Sequence, residues 1–543
     1  MVKPDAETAR ALAGIRFLRT FDGTEPSPGI LAAIRERRTS GVVIFRARNV
    51  ESPAQVRELS RHLQAARPAG DPPLVIGLDQ EGGQLQAVGD GATAWPGNLA
   101  LGATRSPELA LRAGRALGLE AAAMGATLVF APVCDLLYPA SATPLGTRPF
   151  GSEPGLVGPM TAALVAGIQE SGVAASLKHF PGHGAAQGDS HVAMPVVGRS
   201  RRELERDLRP FEVGIAAGAA AVLVGHLAVP ALTAGIPVAA TTSPAILGEL
   251  LRAELGFRGI TISDAMDMGG AGGPGRLFET VIAAADAGMD LLLMAHSQEI
   301  EDGAFEALAA AVWAGLLDPL RLRQAEVRIL AARRSTARAI DDQPAIEVVD
   351  GPAHRALADE IARASMTLVR DPVPSLPLRE GAAGRVQLIA PVPVDLTPAE
   401  TSSYVRLGLA DALRERGVDV DTLVSPLDPD AESVAQLMAK TADYDVVLVA
   451  TFDAVSFPGQ ARLVRAVAAA TAGHGTCIAI ALRTPYDAAL YPESIAAVCT
   501  YGIQAPQMAA LADALLGRIA FAGALPVELP AGADVPAAWW TGP

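Results

Sequence analysis

Short and almost uninterrupted apolar runs recur along the first part of the chain, separated by longer amphipathic stretches. The apolar runs lie at 41–45, 74–78, 126–133, 173–177, 220–224, 259–262 and 291–294. Helix-like patterns lie between them at 53–66, 107–124, 155–171, 201–217 and 243–255. An apolar run without alternation is typical of a strand that is buried on both faces. The alternation of such strands with helices predicts a parallel sheet, either closed as a barrel or open and doubly wound.

Ionisable residues follow five of these runs, at the point where each strand should end. They are Asp79, Lys178, His179, His226, Asp264 and His296. In a parallel barrel the carboxyl ends of all strands share one face, and that face holds the active site. Polar residues after a strand can also simply begin a surface loop. The residue types favour a polar pocket, because plain connections more often begin with Gly, Asn or Ser.

The pattern breaks in a polar stretch at 335–352, rich in Asp, Pro and Gly, which we interpret as a linker. New apolar runs follow at 386–390, 446–450, 477–482 and 496–498, with helical patterns at 399–416, 460–472 and 507–518. They predict a second, smaller α/β domain. The predicted boundaries are 1–340 for the barrel, 341–355 for the linker and 356–543 for the second domain.

The second domain shows no signature of a nucleotide site. It has no Gly-x-Gly-x-x-Gly segment after a strand and no Walker-type phosphate loop, so the sequence does not support nucleotide binding. It also lacks a dense cluster of ionisable residues. We therefore expect this domain to be mainly structural.

Composition and charge exclude several classes of protein. Half of the 543 residues are hydrophobic and 19% are charged, which is too apolar for a disordered chain. The net charge is −15 and no Lys/Arg run stands out, so we expect no nucleic-acid partner and no anionic membrane surface. No uncharged apolar block of about 20 residues suggests a membrane span. The sequence does not indicate an oligomeric state.

The cysteines and the first residues bear on the compartment. Three cysteines without a Cys-x-x-Cys pair exclude a zinc knuckle and a thioredoxin motif, and they are compatible with a reducing compartment. The first residues lack the basic start and apolar core of a secretory signal. The expectation is a cytoplasmic protein, with secretion left open if a leader is missing from the sequence.

Four of the eight histidines fall within 48 positions: His179, His183, His191 and His226. A zinc site is disfavoured, because Pro181 and Gly182 break the helix that a His-x-x-x-His pair requires. Histidines that are only hydrogen-bonded within a loop are an alternative. However, an extended Asp189-Ser-His191 segment can place a carboxylate against an imidazole, which raises the pKa of the histidine and selects its tautomer. This pair is a candidate for proton transfer.

Three further segments carry candidate site residues. In the segment at 256–268, Asp264 ends a buried strand and should direct its carboxylate into the mouth of the barrel. In the segment at 78–83, Asp79 precedes two glycines that allow the backbone to approach a ligand. In the segment at 146–151, Arg148 could bind a polar group of a substrate.

Taken together, these motifs resemble glycoside hydrolase family 3, and more narrowly its β-N-acetylglucosaminidase branch. The resemblance rests on LDQEGG at 78–83, GTRPFGSEP at 146–154, KHFPGHG at 178–184 with DSH at 189–191, and ELGFRGITISDAMDM at 254–268. It extends to FDGT at 21–24, LRTPY at 482–486 and YG at 501–502, and so covers nearly the whole chain. The Asp-x-His pattern distinguishes this branch from the β-glucosidases, in which a Glu elsewhere is the acid/base. The resemblance implies a (β/α)8 TIM-type barrel followed by an αβα sandwich domain.

The resemblance also implies an activity and its residues. Asp264 corresponds to the nucleophile, and His191 with Asp189 to the acid/base pair. Sugar-binding roles are implied for Asp79, Arg148, Lys178 and His179, with no metal and no organic cofactor. The implied reaction is retaining, exo-acting hydrolysis of terminal β-linked N-acetylglucosamine from small glycosides or peptidoglycan fragments. A phosphorylase and a sugar-binding homologue without catalysis are the alternatives.

Three positions depart from the pattern of the family. Ala265 stands where a second acidic residue is common, Gln84 where Arg is common, and Ala185–Ala186 where Asp-Thr is common. These departures concern the recognition of the N-acetyl group or of an attached peptidoglycan moiety. The catalytic positions themselves are kept, so we expect activity.

Overall fold

The computed structural model describes residues 4–186, 193–378, 385–441 and 443–530. Eight parallel strands form the first sheet. They are β1 (Phe17–Arg19), β2 (Gly41–Ile44), β3 (Val75–Leu78), β4 (Leu128–Val129), β5 (Ala174–Phe180), β6 (Ala221–Val224), β7 (Ile260–Ser263) and β8 (Leu292–Leu293). Their spatial order is β8-β1-β2-β3-β4-β5-β6-β7, and a parallel bridge from Ile262 to Leu291 joins the two ends. The sheet is therefore a closed barrel in sequence order, and the predicted TIM-type fold is confirmed.

Helices surround this barrel and explain why its strands carry apolar runs. The α-helices are Ala6–Gly14, Pro28–Arg35, Arg46–Asn49, Pro53–Ala65, Asn98–Thr104, Pro107–Ala123, Ala142–Leu145, Pro154–Glu170, Arg201–Ala216, Leu277–Ala287, Gln298–Ala314, Pro319–Ser335 and Ala337–Asp341, with a π-helix at Ala245–Glu254. In β2, Val43 faces the interior of the barrel, whereas Val42 and Ile44 pack against the helices. Both faces of each strand are thus buried, as the uninterrupted runs predict.

The second sheet has six strands. They are β9 (Thr367–Arg370), β10 (Val386–Pro391), β11 (Val420–Ser425), β12 (Val446–Thr451), β13 (Thr476–Ala481) and β14 (Ala496–Cys499). The order is β9-β14-β13-β12-β10-β11, and only the β9–β14 pair is antiparallel. The associated helices are Pro352–Ser365, Leu409–Glu415, Ala431–Met438, Pro458–Thr471 and Ala505–Leu515. Separate apolar clusters cover the two faces of the sheet, which makes this unit the expected α/β sandwich.

The barrel packs directly against one face of the second sheet. Leu99, Leu137 and Leu145 of the barrel belong to the same buried cluster as Val447 and Val449 of β12. The helix at Pro352–Ser365, which the sequence divides between linker and second domain, contributes residues to clusters of both units. The exact boundaries at 340 and 356 stay a prediction.

Two absences hold for the part of the chain that the structure describes. None of its helices combines the length and the apolar character that crossing a bilayer requires. Within the same residues, no group of three or more His, Cys, Asp or Glu side chains is arranged to hold a metal ion.

Candidate active site

Most of the sequence-predicted site residues meet at the carboxyl face of the barrel. Asp79 follows β3, Lys178 and His179 lie near the end of β5, and Asp264 follows β7. Together with Arg148 they line one cavity of about 490 Å³. The strand ends therefore predict the location of the cavity and four of its lining residues, and Arg148 joins them from the segment at 146–151.

At the floor of the cavity a buried carboxylate, Glu81, binds two cations. Arg148 donates from Nε and Nη2 to the two Glu81 oxygens, each at 2.9 Å, and Lys178 Nζ lies 2.5 Å from Glu81 Oε1. Lys178 Nζ also contacts Asp79 Oδ1 at 2.7 Å. Burial favours the protonated acid, but Arg148 and Lys178 outweigh it and lower the pKa of Glu81 to about 2. Two carboxylates thus balance two cations.

Glu81 lies in a short hairpin of two antiparallel strands, Gln80–Gly82 and Leu85–Gln86, whose turn depends on Gly82 and Gly83. Gly82 and Gly83 have φ angles of +86° and +65°. Residues that carry a Cβ rarely adopt such angles. A Cβ at Gly83 would lie 3.1 Å from the Cα of Gly97. The sequence predicts that the backbone approaches a ligand at these glycines. In the structure they instead form a tight turn packed against Gly97, and neither lines the main cavity.

His179 connects Arg148 to a second buried carboxylate, Asp135. Its Nδ1 lies 2.7 Å from Asp135 Oδ2, and its Nε2 lies 3.2 Å from Arg148 Nη2. Because the guanidinium can only donate, Nε2 must accept, so the proton of a neutral ring is on Nδ1. Burial and the nearby cations Arg148 and Lys178 lower the pKa of His179 well below its usual value. His179 is therefore a neutral, oriented imidazole at neutral pH.

Asp264 follows β7, and its backbone conformation is supported on two sides. Its backbone N–H donates to the Val224 carbonyl at 2.9 Å, and its Oδ1 accepts from the Ala265 N–H at 2.9 Å. Beneath it, the buried His226 contacts the Ala265 carbonyl through Nε2 and Thr241 Oγ1 through Nδ1, both at 2.9 Å. His226 thus supports the backbone next to Asp264.

Of the other histidines that the sequence singles out, one lines the cavity, one does not, and one lies outside the described residues. His183, for which the sequence predicts no role of its own, is buried and lines the cavity. Asp135 accepts a hydrogen bond from its backbone N–H at 2.6 Å. His296 contacts Ser297 and does not line the cavity. The predicted acid/base pair, Asp189 and His191, lies outside the described residues.

Comparison with known proteins places this site in a family. The model for the glycosyl hydrolase family 3 N-terminal domain matches residues 26–332. The chain belongs to glycoside hydrolase family 3. The β-hexosaminidase of Thiobacillus denitrificans is 38% identical over 287 residues, covering 52% of this chain and 78% of the relative. The β-hexosaminidase of Stenotrophomonas maltophilia is also 38% identical over 287 residues, covering 52% of this chain and 83% of the relative.

A solved structure extends the similarity to both domains of this family 3 hydrolase. The family 3 β-N-acetylglucosaminidase from Paenibacillus sp. FPU-7 superposes with a TM-score of 0.85 at 32% identity, covering 96% of this chain and 98% of the other. The whole two-domain arrangement is therefore shared.

The second domain of this family 3 hydrolase also lines the cavity, contrary to the expectation that it is mainly structural. A loop between β10 and the helix Leu409–Glu415 contributes the lining residues Asp395, Pro398, Ala399, Glu400, Thr401 and Tyr404. The Thr401 N–H donates to the Gln84 carbonyl at 2.7 Å, which joins this loop to the barrel. Across the same boundary, the Arg46 guanidinium lies 4.2 Å from the Tyr404 ring centroid. The cavity is therefore formed by both domains.

The departures from the family pattern lie in different environments, and only Ala265 lines this cavity. Gln84 Oε1 accepts from the Thr147 N–H at 2.7 Å, next to Arg148, so this residue supports the segment that carries the arginine. Ala265 lines the cavity with only a methyl group. Ala186 is buried among the apolar residues of the barrel.

Proposed function

We propose that this chain is a retaining exo-β-N-acetylglucosaminidase that removes terminal β-linked N-acetylglucosamine from small glycosides. The observation that carries the proposal is Asp264, a strand-end carboxylate in a cavity lined by Asp79, Arg148, Lys178 and His179. The names of the relatives, β-hexosaminidase and β-N-acetylglucosaminidase, support the choice of sugar. Peptidoglycan fragments are the natural substrates that we propose.

In the proposed mechanism Asp264 attacks the anomeric carbon and forms a covalent glycosyl-enzyme. His191, oriented by Asp189, protonates the leaving oxygen. It then takes a proton from the water that hydrolyses the intermediate. Two displacements at one carbon retain its configuration. An Asp–His pair here replaces the second carboxylate of the usual retaining mechanism.

The floor of the cavity favours the charge that develops during this reaction. Glu81 and Asp79 balance the cations Arg148 and Lys178, and His179 is neutral. The carboxylate of Asp264, which lines the same cavity, brings a further negative charge beside the anomeric carbon. A transition state with oxocarbenium character is positive there, and this arrangement stabilises it. Lys178 and His179 are proposed to bind sugar hydroxyls.

An assay on two nitrophenyl glycosides tests the proposed activity. We expect release of nitrophenol from the β-N-acetylglucosaminide, with much slower release from the β-glucoside, and a β-configured sugar as the first product by NMR. Preference for the glucoside, or an α-configured first product, would contradict the proposal. Adding phosphate tests the phosphorylase alternative, which requires sugar-1-phosphate as the product. Tight sugar binding without turnover would indicate the non-catalytic homologue.

The roles of His191 and Asp189 are tested by the choice of leaving group. We expect His191→Ala to slow hydrolysis of a disaccharide far more than that of a nitrophenyl glycoside, because only the poor leaving group needs protonation. Asp189→Asn should give a weaker form of the same pattern, since the imidazole becomes less basic. The measurement is kcat/KM for both variants on both substrates. Equal losses on the two substrates would show that His191 is not the proton donor.

A further inference from the structure

The chain on the upstream side of the proposed acid/base pair, Asp189 and His191, is fixed to the barrel. Asp135 accepts a hydrogen bond from the His183 N–H at 2.6 Å, and the His183 carbonyl accepts one from the Ala186 N–H at 2.9 Å. Asp135 and Ala186 are both buried. The position of the chain is therefore set up to Ala186.

The chain on the downstream side, residues 193–199, is called the returning limb below. The Val197 N–H donates to the Ala228 carbonyl, and the Ala228 N–H donates to the Pro195 carbonyl, both at 2.9 Å. Ala228 lies two residues after His226, which supports the backbone next to the proposed nucleophile. These backbone bonds attach the limb to the chain that follows β6, but they end at residue 197.

The end of the returning limb is held by one side chain. Arg199 is the only residue of the limb with a polar side chain. Its Nη1 donates to the Tyr138 hydroxyl at 3.0 Å and to Asp207 Oδ2 at 2.8 Å, and its guanidinium lies 4.2 Å from the centroid of the Tyr138 ring. The Tyr138 hydroxyl donates to the buried Asp207 at 2.9 Å. Arg199 thus joins the limb to the loop after β4 and to the helix Arg201–Ala216.

Chain connectivity limits the distance between His191 and the returning limb. An extended residue spans about 3.4 Å, so the four steps from Pro195 to His191 reach at most about 14 Å. A proton donor must lie about 3 Å from the oxygen that it protonates. A small displacement of the limb therefore changes how readily His191 reaches the leaving oxygen.

We propose that Arg199 is a positioning residue that holds the returning limb so that His191 can protonate the leaving group. The inference rests on the proposed function, in which His191 is the proton donor. Arg199 is not among the described residues that line the cavity, so it acts through the limb and not on the sugar. Its loss should therefore impair proton donation and leave attack on the anomeric carbon largely intact.

The test compares kcat/KM on a β-1,4-linked N-acetylglucosamine disaccharide and on a nitrophenyl N-acetylglucosaminide. Arg199→Ala is expected to lower the value about tenfold for the disaccharide and less than twofold for the nitrophenyl glycoside, whose leaving group departs without protonation. Arg199→Lys should restore most of the activity, because a single nitrogen of Arg199 makes both of its hydrogen bonds. The matched control is Arg201→Ala. Arg201 is part-exposed, pairs with Glu254, and its substitution should change neither value.

A double-mutant cycle distinguishes positioning from general support of the fold. In the His191→Ala background, adding Arg199→Ala should cause no further loss on the disaccharide, because the proton donor is already absent. A residue that only stabilises the fold would lower the activity of this background as well.

A second variant keeps the buried ion pair, in case Arg199→Ala does not fold. Tyr138→Phe removes the hydroxyl that binds Arg199 and leaves Arg199 paired with Asp207. It should lower kcat/KM about threefold on the disaccharide and leave the nitrophenyl glycoside unchanged.

Three results would overturn the inference: equal losses of Arg199→Ala on the two substrates, full activity of this variant on both, or a further loss in the His191→Ala background. Hydrolysis of neither substrate by the parent protein would instead overturn the proposed function, and the inference with it. The parent separates the two failures, because it retains Arg199.

Discussion

Replacing Asp264 by alanine should lower kcat on a nitrophenyl N-acetylglucosaminide by about 10⁴-fold or more, because no covalent intermediate can then form. Azide added to this variant should restore part of the turnover and give a glycosyl azide of α configuration, since a single displacement inverts the anomeric carbon. Asp267→Ala is the comparison, because Asp267 also lines the cavity and accepts from the Ala295 N–H at 3.1 Å. It should retain far more activity. An Asp264→Ala enzyme with more than a tenth of the normal rate would show that the nucleophile lies elsewhere.

Removal of Glu81 should have the largest effect on stability. Glu81→Ala leaves Arg148 without its carboxylate partner and Lys178 with Asp79 alone, in a fully buried position. Breaking a buried ion pair from one side costs about 3–5 kcal/mol, and we expect a loss of that size in the free energy of unfolding. Urea denaturation at pH 7 measures it. A loss below about 1 kcal/mol, the range of exposed ion pairs, would contradict this account.

The same carboxylate predicts a pH dependence with a definite sign. The pKa of Glu81 is 4.5 ordinarily and about 2 in the folded protein, so the folded state binds the proton more weakly than the unfolded state. The stabilisation is therefore fully present above about pH 4.5 and is lost as the pH falls towards 2. Glu81→Gln keeps the shape of the side chain and removes the titration. Its stability should fall less steeply than that of the parent protein over this range of pH.

The strand ends are enough to predict the location of the cavity and Asp79, Lys178, His179 and Asp264 within it, because burial on both faces makes barrel strands recognisable and their ends share one face. Two partners were missed. Asp135 stands two residues after an apolar run, and the strand-end argument applies to it equally well. Glu81 lies within a quoted motif, but only the hairpin that follows β3 reveals that its side chain points at Arg148 and Lys178. Its direction depends on the turn at Gly82 and Gly83, which composition does not show.

Other elements could not be predicted, because tertiary contacts determine them. The helical pattern at 399–416 is an α-helix only over Leu409–Glu415, with a single 3₁₀ turn at Ser402–Tyr404. The chain before the α-helix is otherwise a loop, because Thr401 is bound to the barrel through Gln84. Strand β1 is only three residues long and follows the buried Arg16, so the sequence around it shows no continuous apolar run. Strand β11 lies at an edge of the sheet with exposed side chains at three of its six positions, so its sequence lacks a continuous apolar run.

Because two domains form the cavity, two properties of the proposed enzyme can change independently: the chemistry at the terminal sugar and the choice of leaving group. In the proposed mechanism, the chemistry at the terminal sugar depends on the ends of barrel strands, which the closed sheet holds. The loop between β10 and Leu409–Glu415 also lines the cavity but belongs to a different core. We expect substitutions in that loop to alter the accepted leaving group while the proposed nucleophile Asp264 stays where it is. Exchange of the second domain between family members is therefore a route to new aglycone preferences on an unchanged catalytic barrel.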